Sequence, residues 1–277
     1  MPELPEVELV ARALDSLVGG RRFVSAKLLR PRLAPETTPR EFAGRLRGAS
    51  LLKVGRRGKH VLAEFDNGAV LITHLRMTGR FLLLPEGRGL PTHTHALFAL
   101  DDGRRLAFTD QRHFGFMKLA RAAELTQVKE LRSLAPEPFS EDFSEDYLGG
   151  VLSRSRRTIK ETLLDQTKVT GLGNIYAAEA LFLARANPLR PAAEFTRRRV
   201  PRLRESIVSV LAEAIAHGST MNVDPENIDG SYYGGGYEGR WRVYDREGQS
   251  CPACARPVRR VTQGGRSTYF CPRCQRH

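Results

Sequence analysis

The sequence predicts an α+β multidomain chain: an N-terminal antiparallel β-sandwich or barrel flanked by helices, a helical middle, and a C-terminal β-hairpin zinc finger. Three observations predict it. Residues 51–119 fall into short strand-forming runs separated by turn signals, with no helices alternating between them. From about Ser144 the apolar period becomes helical. All four cysteines lie in the last 27 residues as C-x2-C-x16-C-x2-C. The chain has 277 residues, which suggests roughly two domains. A content of 41% hydrophobic and 27% charged residues excludes a disordered or collagen-like chain.

Taken in order, Val7, Val10, Leu14 and Leu17 share one helical face, stopped by Gly19-Gly20. The strand runs are Leu51–Val54, His60–Phe65, Ala69–Leu75, Arg80–Leu84, Ala96–Leu100, Arg105–Phe108 and Phe116–Leu119. Asp66-Asn67-Gly68 and Asp101-Asp102-Gly103 are turns between them. This β-rich domain is expected over residues 1–130, with a Pro-containing acidic linker at 131–143. Helices are predicted over Tyr147–Leu152, Thr158–Asp165, Asn174–Ala186 and Phe195–His217, with Pro188 and Pro191 breaking the chain between the last two. They make a helical domain over 144–239, whose glycine-rich end, 218–239, reads as a mobile loop.

Residues 240–277 form the third part. Cys251, Cys254, Cys271 and Cys274 make two knuckles that offer four thiolates to one tetrahedral Zn2+. Two disulfides are the alternative, but a cytosolic compartment keeps thiols reduced. Four sulfur ligands leave no open position for water, so the metal is structural. Between the knuckles, Arg259-Arg260-Val261 and Ser267-Thr268-Tyr269-Phe270 pair as a hairpin, and Arg266 projects from its Gly264-Gly265 tip.

Lys and Arg number 44 against 31 Asp and Glu, a net charge of +13. That surplus points to a polyanion, most often nucleic acid, because neutralised phosphates release counterions. The preference for Arg over Lys is also what an Arg-rich genome would produce. No apolar run approaches the roughly 18 residues of a membrane span. Met1-Pro2-Glu3-Leu4-Pro5-Glu6 is acidic and Pro-broken, unlike a signal peptide, so a soluble intracellular protein is expected.

Pro2 carries the most distinctive chemistry. Removal of Met1 would expose a secondary amine, and an α-amino group with a pKa near 8 is partly neutral and nucleophilic at pH 7. Condensed with a carbonyl, it gives an iminium that cannot lose its charge by shedding a proton, and so favours elimination at the adjacent carbon. Glu3 could donate a proton or stabilise charge. The plain alternative is that Pro and Glu simply open a helix.

The motifs decide between these. Pro2-Glu3-Leu4-Pro5-Glu6-Val7-Glu8, Arg57-Gly58-Lys59-His60, His74-Leu75-Arg76-Met77-Thr78-Gly79, Asp110-Gln111-Arg112-His113-Phe114-Gly115, Leu164-Asp165-Gln166 and Gly171-Leu172-Gly173-Asn174-Ile175-Tyr176-Ala177 follow in order, ending at the zinc hairpin. The sequence resembles bacterial formamidopyrimidine-DNA glycosylase, the 8-oxoguanine repair family, across essentially its whole length. The resemblance implies a β-sandwich catalytic domain, a helix–two-turn–helix DNA-binding domain with a lesion-capping loop near 218–239, and a zinc finger. It implies that Pro2 attacks C1′ of the damaged nucleotide, that Glu3 assists base loss, and that Lys59 and Arg266 donate protons during β- and δ-elimination. Met77, Arg112 and Phe114 would fill the gap left by the flipped nucleotide. Asn174, which reads as an N-cap, together with Lys160, Arg154, Arg156, Arg157, His74 and His93, would contact DNA. A monomer acting on oxidised or abasic duplex DNA is implied.

Departures from the family pattern are local. Gln111 and His113 stand where the family usually has Pro and Arg, Arg76 stands where glycine is usual, and 218–239 is unfamiliar. One rival is the endonuclease VIII type, which prefers oxidised pyrimidines; Leu4-Pro5-Glu6-Val7 favours the formamidopyrimidine type. The other is a noncatalytic zinc protein that binds nucleic acid and needs no free Pro2.

Overall fold

The computed structural model describes residues 1–276, which divide into two compact units. The first comprises Met1–Arg132 with Gly218–Gly236; the second comprises Ser133–His217 with the chain from Tyr237 onward.

The first unit runs α1 (Leu4–Val18), β1 (Phe23–Leu28), α2 (Pro39–Leu46), β2 (Leu51–Arg57), β3 (His60–Phe65), β4 (Ala69–His74), β5 (Gly79–Leu84), β6 (Thr94–Leu100), β7 (Arg105–Asp110), β8 (Phe116–Arg121) and the short α3 (Lys129–Arg132). Two four-stranded sheets form, in the orders β1-β6-β7-β5 and β2-β3-β4-β8, with antiparallel pairing throughout. Their inner faces share one core: Phe81, Phe98 and Phe108 from one sheet meet Phe65, Leu71 and Met117 from the other. Phe23 meets Phe65 edge-on across the layers, at 5.0 Å between centroids. Burying each such side chain stabilises the fold by about 1.5–3 kcal/mol. The architecture is therefore a sandwich rather than a closed barrel.

Helices α1 and α2 close the core with Val7, Val10, Leu14 and Val18, and with Phe42 and Leu46. Val18, not Leu17, finishes the buried stripe of α1; Leu17 lies at its partly buried edge. Two further elements, β1 and α2, lie outside the runs expected from the apolar pattern. A bulge between Phe23 and Ser25 breaks the alternation of β1. Helix α2 buries only Phe42 and Leu46, though Thr38 and Glu41 form a full capping box around Pro39.

Residues 218–236 pack on the first unit rather than with the helices they follow. Strand β5 is a sheet edge, and Leu83 N–H donates to Pro225 O at 2.8 Å. Leu82, Leu84 and Ala107 on the outer face cover themselves with Ile228. Arg80 donates to Ile228 O at 3.0 Å, and the Tyr232 hydroxyl donates to Gly79 O at 3.2 Å. The segment that reads as a mobile loop is thus tied at several points.

The second unit contains α4 (Glu145–Ser153), α5 (Ile159–Leu164), α6 (Asn174–Leu183), α7 (Val200–Ala216) and the hairpin β9 (Arg259–Gln263) and β10 (Arg266–Phe270). Residues Ile175–Phe182 of α6 are all buried, which makes it the central helix. Helix α7 starts at Val200, five residues later than its apolar pattern suggests. Pro201 sits in its first turn, where a missing N–H costs nothing, and Arg197–Arg199 form a separate 3-10 turn. Helix α6 stops at Leu183, where Arg202 donates to Leu183 O at 2.8 Å and Arg199 to Arg185 O at 2.8 Å. No described helix is long and apolar enough to cross a membrane.

Candidate active site and nucleic-acid interface

Strand register gathers the candidate residues of the first unit at one end of the sandwich. His60 at the start of β3 pairs with His74 at the end of β4, and His74 pairs with Phe116 at the start of β8. In the other sheet Gly79 pairs with Asp110, and Thr94 with Thr109. His74, the last residue of β4, and Lys59, Met77, His93, Arg112 and Phe114 on the connections therefore all lie at this end. Helix α1 brings its N-terminus to the same place. Gly20 N–H donates to Leu51 O, the Asp15 carboxylate accepts from Val54 N at 2.6 Å, and Glu8 pairs with Arg56 at 2.6 Å. Moving toward its N-terminus, the helix thus tracks β2 toward the Gly58-Lys59 turn, where Gly58 has φ +56°.

Pro2 and Glu3 are buried immediately before α1. Glu3 N–H donates to Glu6 Oε2 at 2.8 Å. The other oxygen of Glu6 accepts from Thr220 N (3.1 Å) and Thr220 Oγ1 (2.8 Å). Glu6 so fixes the residue beside Pro2 and the start of the 218–236 segment together. With Met1 attached, the Pro2 nitrogen is an amide without nucleophilic character.

Asp110 organises the two turns that present Met77, Arg112 and Phe114. Its fully buried carboxylate accepts from the Thr78 hydroxyl, from Arg112 N at 3.2 Å and from Gly115 N at 2.6 Å. A Cβ on Gly115 would come within 3.0 Å of the Phe108 ring, so glycine lets the turn lie flat on the core. Phe114 is 55% exposed, and the Arg112 guanidinium lies 5.1 Å from its ring centroid. Phe114 therefore lies at the surface on this turn and does not fill the core. The sequence pattern does not mark Asp110 apart from its motif. Its signal is the spacing to Thr78 and Gly115, visible only once β5 and β7 are paired.

Arg76, His93 and His113 occupy left-handed backbone at φ +55°, +59° and +61°. That conformation accounts for the glycine usual at position 76, and keeping Arg there strains the turn. His113 Nδ1 lies 3.0 Å from Arg30 Nη1 and 3.0 Å from His95 Nε2. A guanidinium only donates, so His113 Nδ1 accepts and its ring proton sits on Nε2. Arg30 thereby supplies a permanent cation beside the position where the family usually has one. His60 and His74 meet edge-on at 4.7 Å. Burial lowers His60 to a pKa of about 4. Burial, then the neighbouring His60, Arg76 and Lys59 charges, lower His74 to about 2, so both are neutral at pH 7.

In the second unit, Arg157, Lys160 and Arg266 line one cavity of about 320 Å³. Lys160 is buried, and its ammonium donates to Ser267 O at 2.8 Å and Thr268 Oγ1 at 2.7 Å. Asn174 Nδ2 donates to the same Ser267 carbonyl at 3.0 Å. Both side chains hold the hairpin directly beside Arg266. Asn174 is the first residue of α6 and Gly173 its N-cap, which corrects the N-cap expectation; the Asn174 amide reaches the hairpin and not its own helix end. Arg154, Arg156 and Arg157 are exposed and, with Lys168, line a neighbouring groove of about 290 Å³.

The zinc module is seated by a buried carboxylate. Glu179 accepts from the N–H groups of Arg242, Val243 and Tyr244 at 2.8, 2.9 and 2.9 Å. Nothing in the sequence distinguishes Glu179. The four cysteine sulfurs lie within 4.8 Å of one another. Cys254 and Cys271 Sγ are 3.5 Å apart, and Cys251 and Cys274 Sγ are 3.9 Å apart. Zn–S bonds of about 2.3 Å place tetrahedral sulfurs about 3.8 Å apart, so the donor set fits one structural Zn2+.

Sandwich, helical unit and tetra-cysteine hairpin together define a zinc-finger protein built like a DNA-repair glycosylase. The model for the formamidopyrimidine-DNA glycosylase N-terminal domain matches residues 1–117, that for the formamidopyrimidine-DNA glycosylase H2TH domain matches 134–224, and that for the zinc finger found in FPG and IleRS matches 248–276. The chain is 40% identical over 279 residues to the formamidopyrimidine-DNA glycosylase of Desulforamulus reducens, covering 100% of this chain and 99% of the relative. It is similar to the MutM (Fpg) structure from Thermus thermophilus, with TM-score 0.87, 39% identity and coverage of 100% and 99%. It is also similar to Lactococcus lactis Fpg in complex with DNA containing an oxidised pyrimidine, with TM-score 0.92, 31% identity and full coverage of both chains. The chain belongs to the formamidopyrimidine-DNA glycosylase family.

Proposed function

We propose that the protein is a bifunctional DNA glycosylase and abasic-site lyase of base excision repair, acting on oxidised purines in duplex DNA. The observation that carries this reading is the strand register that brings Lys59, His74, Met77, Arg112 and Phe114 to the end of the sandwich where α1 presents Pro2. In this reading, loss of Met1 frees the Pro2 amine. The electropositive N-terminus of α1 disfavours its protonated form. The amine attacks C1′, the C1′–N bond to the damaged base breaks with a proton delivered to the leaving base, and an iminium links Pro2 to the opened sugar. Glu3 assists base loss and later proton transfer. Loss of the C2′ proton then expels the 3′ phosphate (β-elimination), with Lys59 as a proton donor. A second elimination expels the 5′ phosphate, with Arg266 as the donor.

Met77, Arg112 and Phe114 fill the space of the extruded nucleotide, and Tyr232, Tyr233 and the rest of 218–236 cap it. His74, His93, Asn174, Arg154, Arg156 and Arg157 contact the backbone, with Lys160 setting the hairpin for Arg266. The protein works as a monomer in the bacterial cytoplasm on nucleoid DNA. Cleavage of duplexes bearing 8-oxoguanine opposite C, compared with thymine glycol, tests the substrate class. Faster cleavage at 8-oxoguanine is expected, and preference for thymine glycol would place the enzyme with the oxidised-pyrimidine type. The Lactococcus complex makes some activity on oxidised pyrimidines an expected secondary result.

A further inference from the structure

A cavity of about 630 Å³ in the second unit shares no lining residue with those around Arg266 or the Arg154–Arg157 run. Its walls carry seven arginines. Arg185 and Arg190 come from the connection after α6. Arg198, Arg199 and Arg202 come from the turn and first residues leading into α7, and Arg273 and Arg276 from the second zinc knuckle. The walls are fixed to one another, since buried Gln275 donates to Ala186 O at 2.9 Å.

Structural duties account for only part of this charge. Arg199 and Arg202 cap the carbonyls at the end of α6, and Arg199 also stacks on Phe195 at 4.7 Å. Arg190 faces Glu194 at 3.6 Å. Arg185, Arg198, Arg273 and Arg276 have no side-chain hydrogen bond or ion pair among the described residues, and all four are exposed. Glu194 is the single carboxylate in the lining, leaving six positive charges. A zinc tetrathiolate carries two negative charges and still leaves four. Concentrating like charge in a concave site raises the local positive potential, and guanidinium forks match phosphate oxygens in pairs. The charges are spread over three elements, so they suit a run of phosphates better than one.

We propose that this cavity is a second phosphate-binding site, which takes the phosphodiester backbone of a DNA strand other than the one under repair. A protein with two such sites can hold one DNA segment while sampling another. Soluble polyphosphate shares the chemistry and is the other source the test must separate.

The test uses the full-length zinc-loaded protein, first saturated with a short unlabelled duplex carrying a tetrahydrofuran abasic analogue. A fluorescein-labelled, undamaged 15-nucleotide single strand is then titrated and followed by polarisation at several salt concentrations. Saturable binding of the second strand is expected. Its log K against log[salt] slope should approach about −3, as four phosphate contacts on single-stranded DNA require. The Arg185→Asn/Arg198→Ser double variant should bind the strand about tenfold more weakly at 0.1 M salt, with the slope reduced by about 1.4. Arg276→Ser alone should reduce it by about 0.7. Cleavage of the short lesion duplex, which reads the proposed repair activity separately, and the melting temperature should stay as in the wild type. Displacement of the labelled strand by tripolyphosphate supports the site. No second-strand binding, or binding by the double variant equal to wild type, overturns it. Tripolyphosphate bound with no strand bound assigns the site to soluble polyphosphate and refutes the DNA proposal.

Discussion

Replacing Asp110 by Asn keeps the side chain's shape and removes its charge and one acceptor. In the structure one carboxylate oxygen serves the Thr78 hydroxyl and Arg112 N–H, and the other serves Gly115 N–H. Hydrogen bonds to a charged acceptor contribute about 1.5–3 kcal/mol each, and a buried donor left without a partner costs about 1–3 kcal/mol. An asparagine oriented to keep Thr78 and Arg112 turns its NH2 toward Gly115 N–H. The expected loss is therefore about 3 kcal/mol of stability in the first unit, read by urea denaturation. The functional effect should be selective. On the proposed mechanism, a duplex substrate needs Arg112 and Phe114 held in place to open the stack, whereas single-stranded abasic DNA does not. D110N should raise KM for a duplex abasic site about tenfold or more, yet trap with borohydride on single-stranded abasic DNA at close to the wild-type rate. Equal loss on both substrates, or no loss on either, would refute the positioning role.

Further outcomes are expected at separate sites. His60 and His74 are held neutral, so the unfolded chain binds protons that the folded one does not. Their stabilisation is complete above pH 6.5 and is lost as the pH falls toward 4 for His60 and toward 2 for His74. Each unit below 6.5 removes about 1.4 kcal/mol per histidine, so the pair accounts for about 5 kcal/mol between pH 7.5 and 4.5. H60Q should remove about half of that dependence in urea midpoints at the two pH values. Arg76→Gly relieves left-handed strain at φ +55° and should raise stability by about 1 kcal/mol in thermal unfolding. Chelation of zinc, or Cys254→Ser, should abolish hydrogen-exchange protection across 248–276 while leaving the sandwich strands protected.

What can be read from the sequence depends on how local its cause is. The seven strand runs, the zinc knuckles and the hairpin tip follow from alternation, spacing and turn glycines, and all appear in the fold. Strand β1 is hidden because its bulge spoils the alternation, and α2 because only Phe42 and Leu46 turn inward. The apolar pattern starts α7 too early because Phe195 matches the helical period, while Pro201 and the 3-10 turn before it set the true boundary. Attachment of 218–236 to the first unit depends on the outer face of β5 and on Glu6, some 214 residues away from Thr220. Lys160 shows the same limit at the site. Its charge suggests an exposed phosphate contact, but burial against Ser267 and Thr268 makes it a prop for the hairpin. Pro2 is interpretable only through family motifs, because a single proline carries no periodic or compositional signal.

The identity of the nucleophile is decisive for the proposed lyase chemistry. Full-length protein is mixed with duplex DNA containing an abasic site, reduced with borohydride, digested and mapped by tandem mass spectrometry. The adduct-bearing chain should begin at Pro2, with the sugar remnant on the Pro2 nitrogen, and no adduct should form when an uncleaved residue is left ahead of Pro2. An adduct on Lys59, or efficient trapping by protein that retains Met1, would contradict that chemistry.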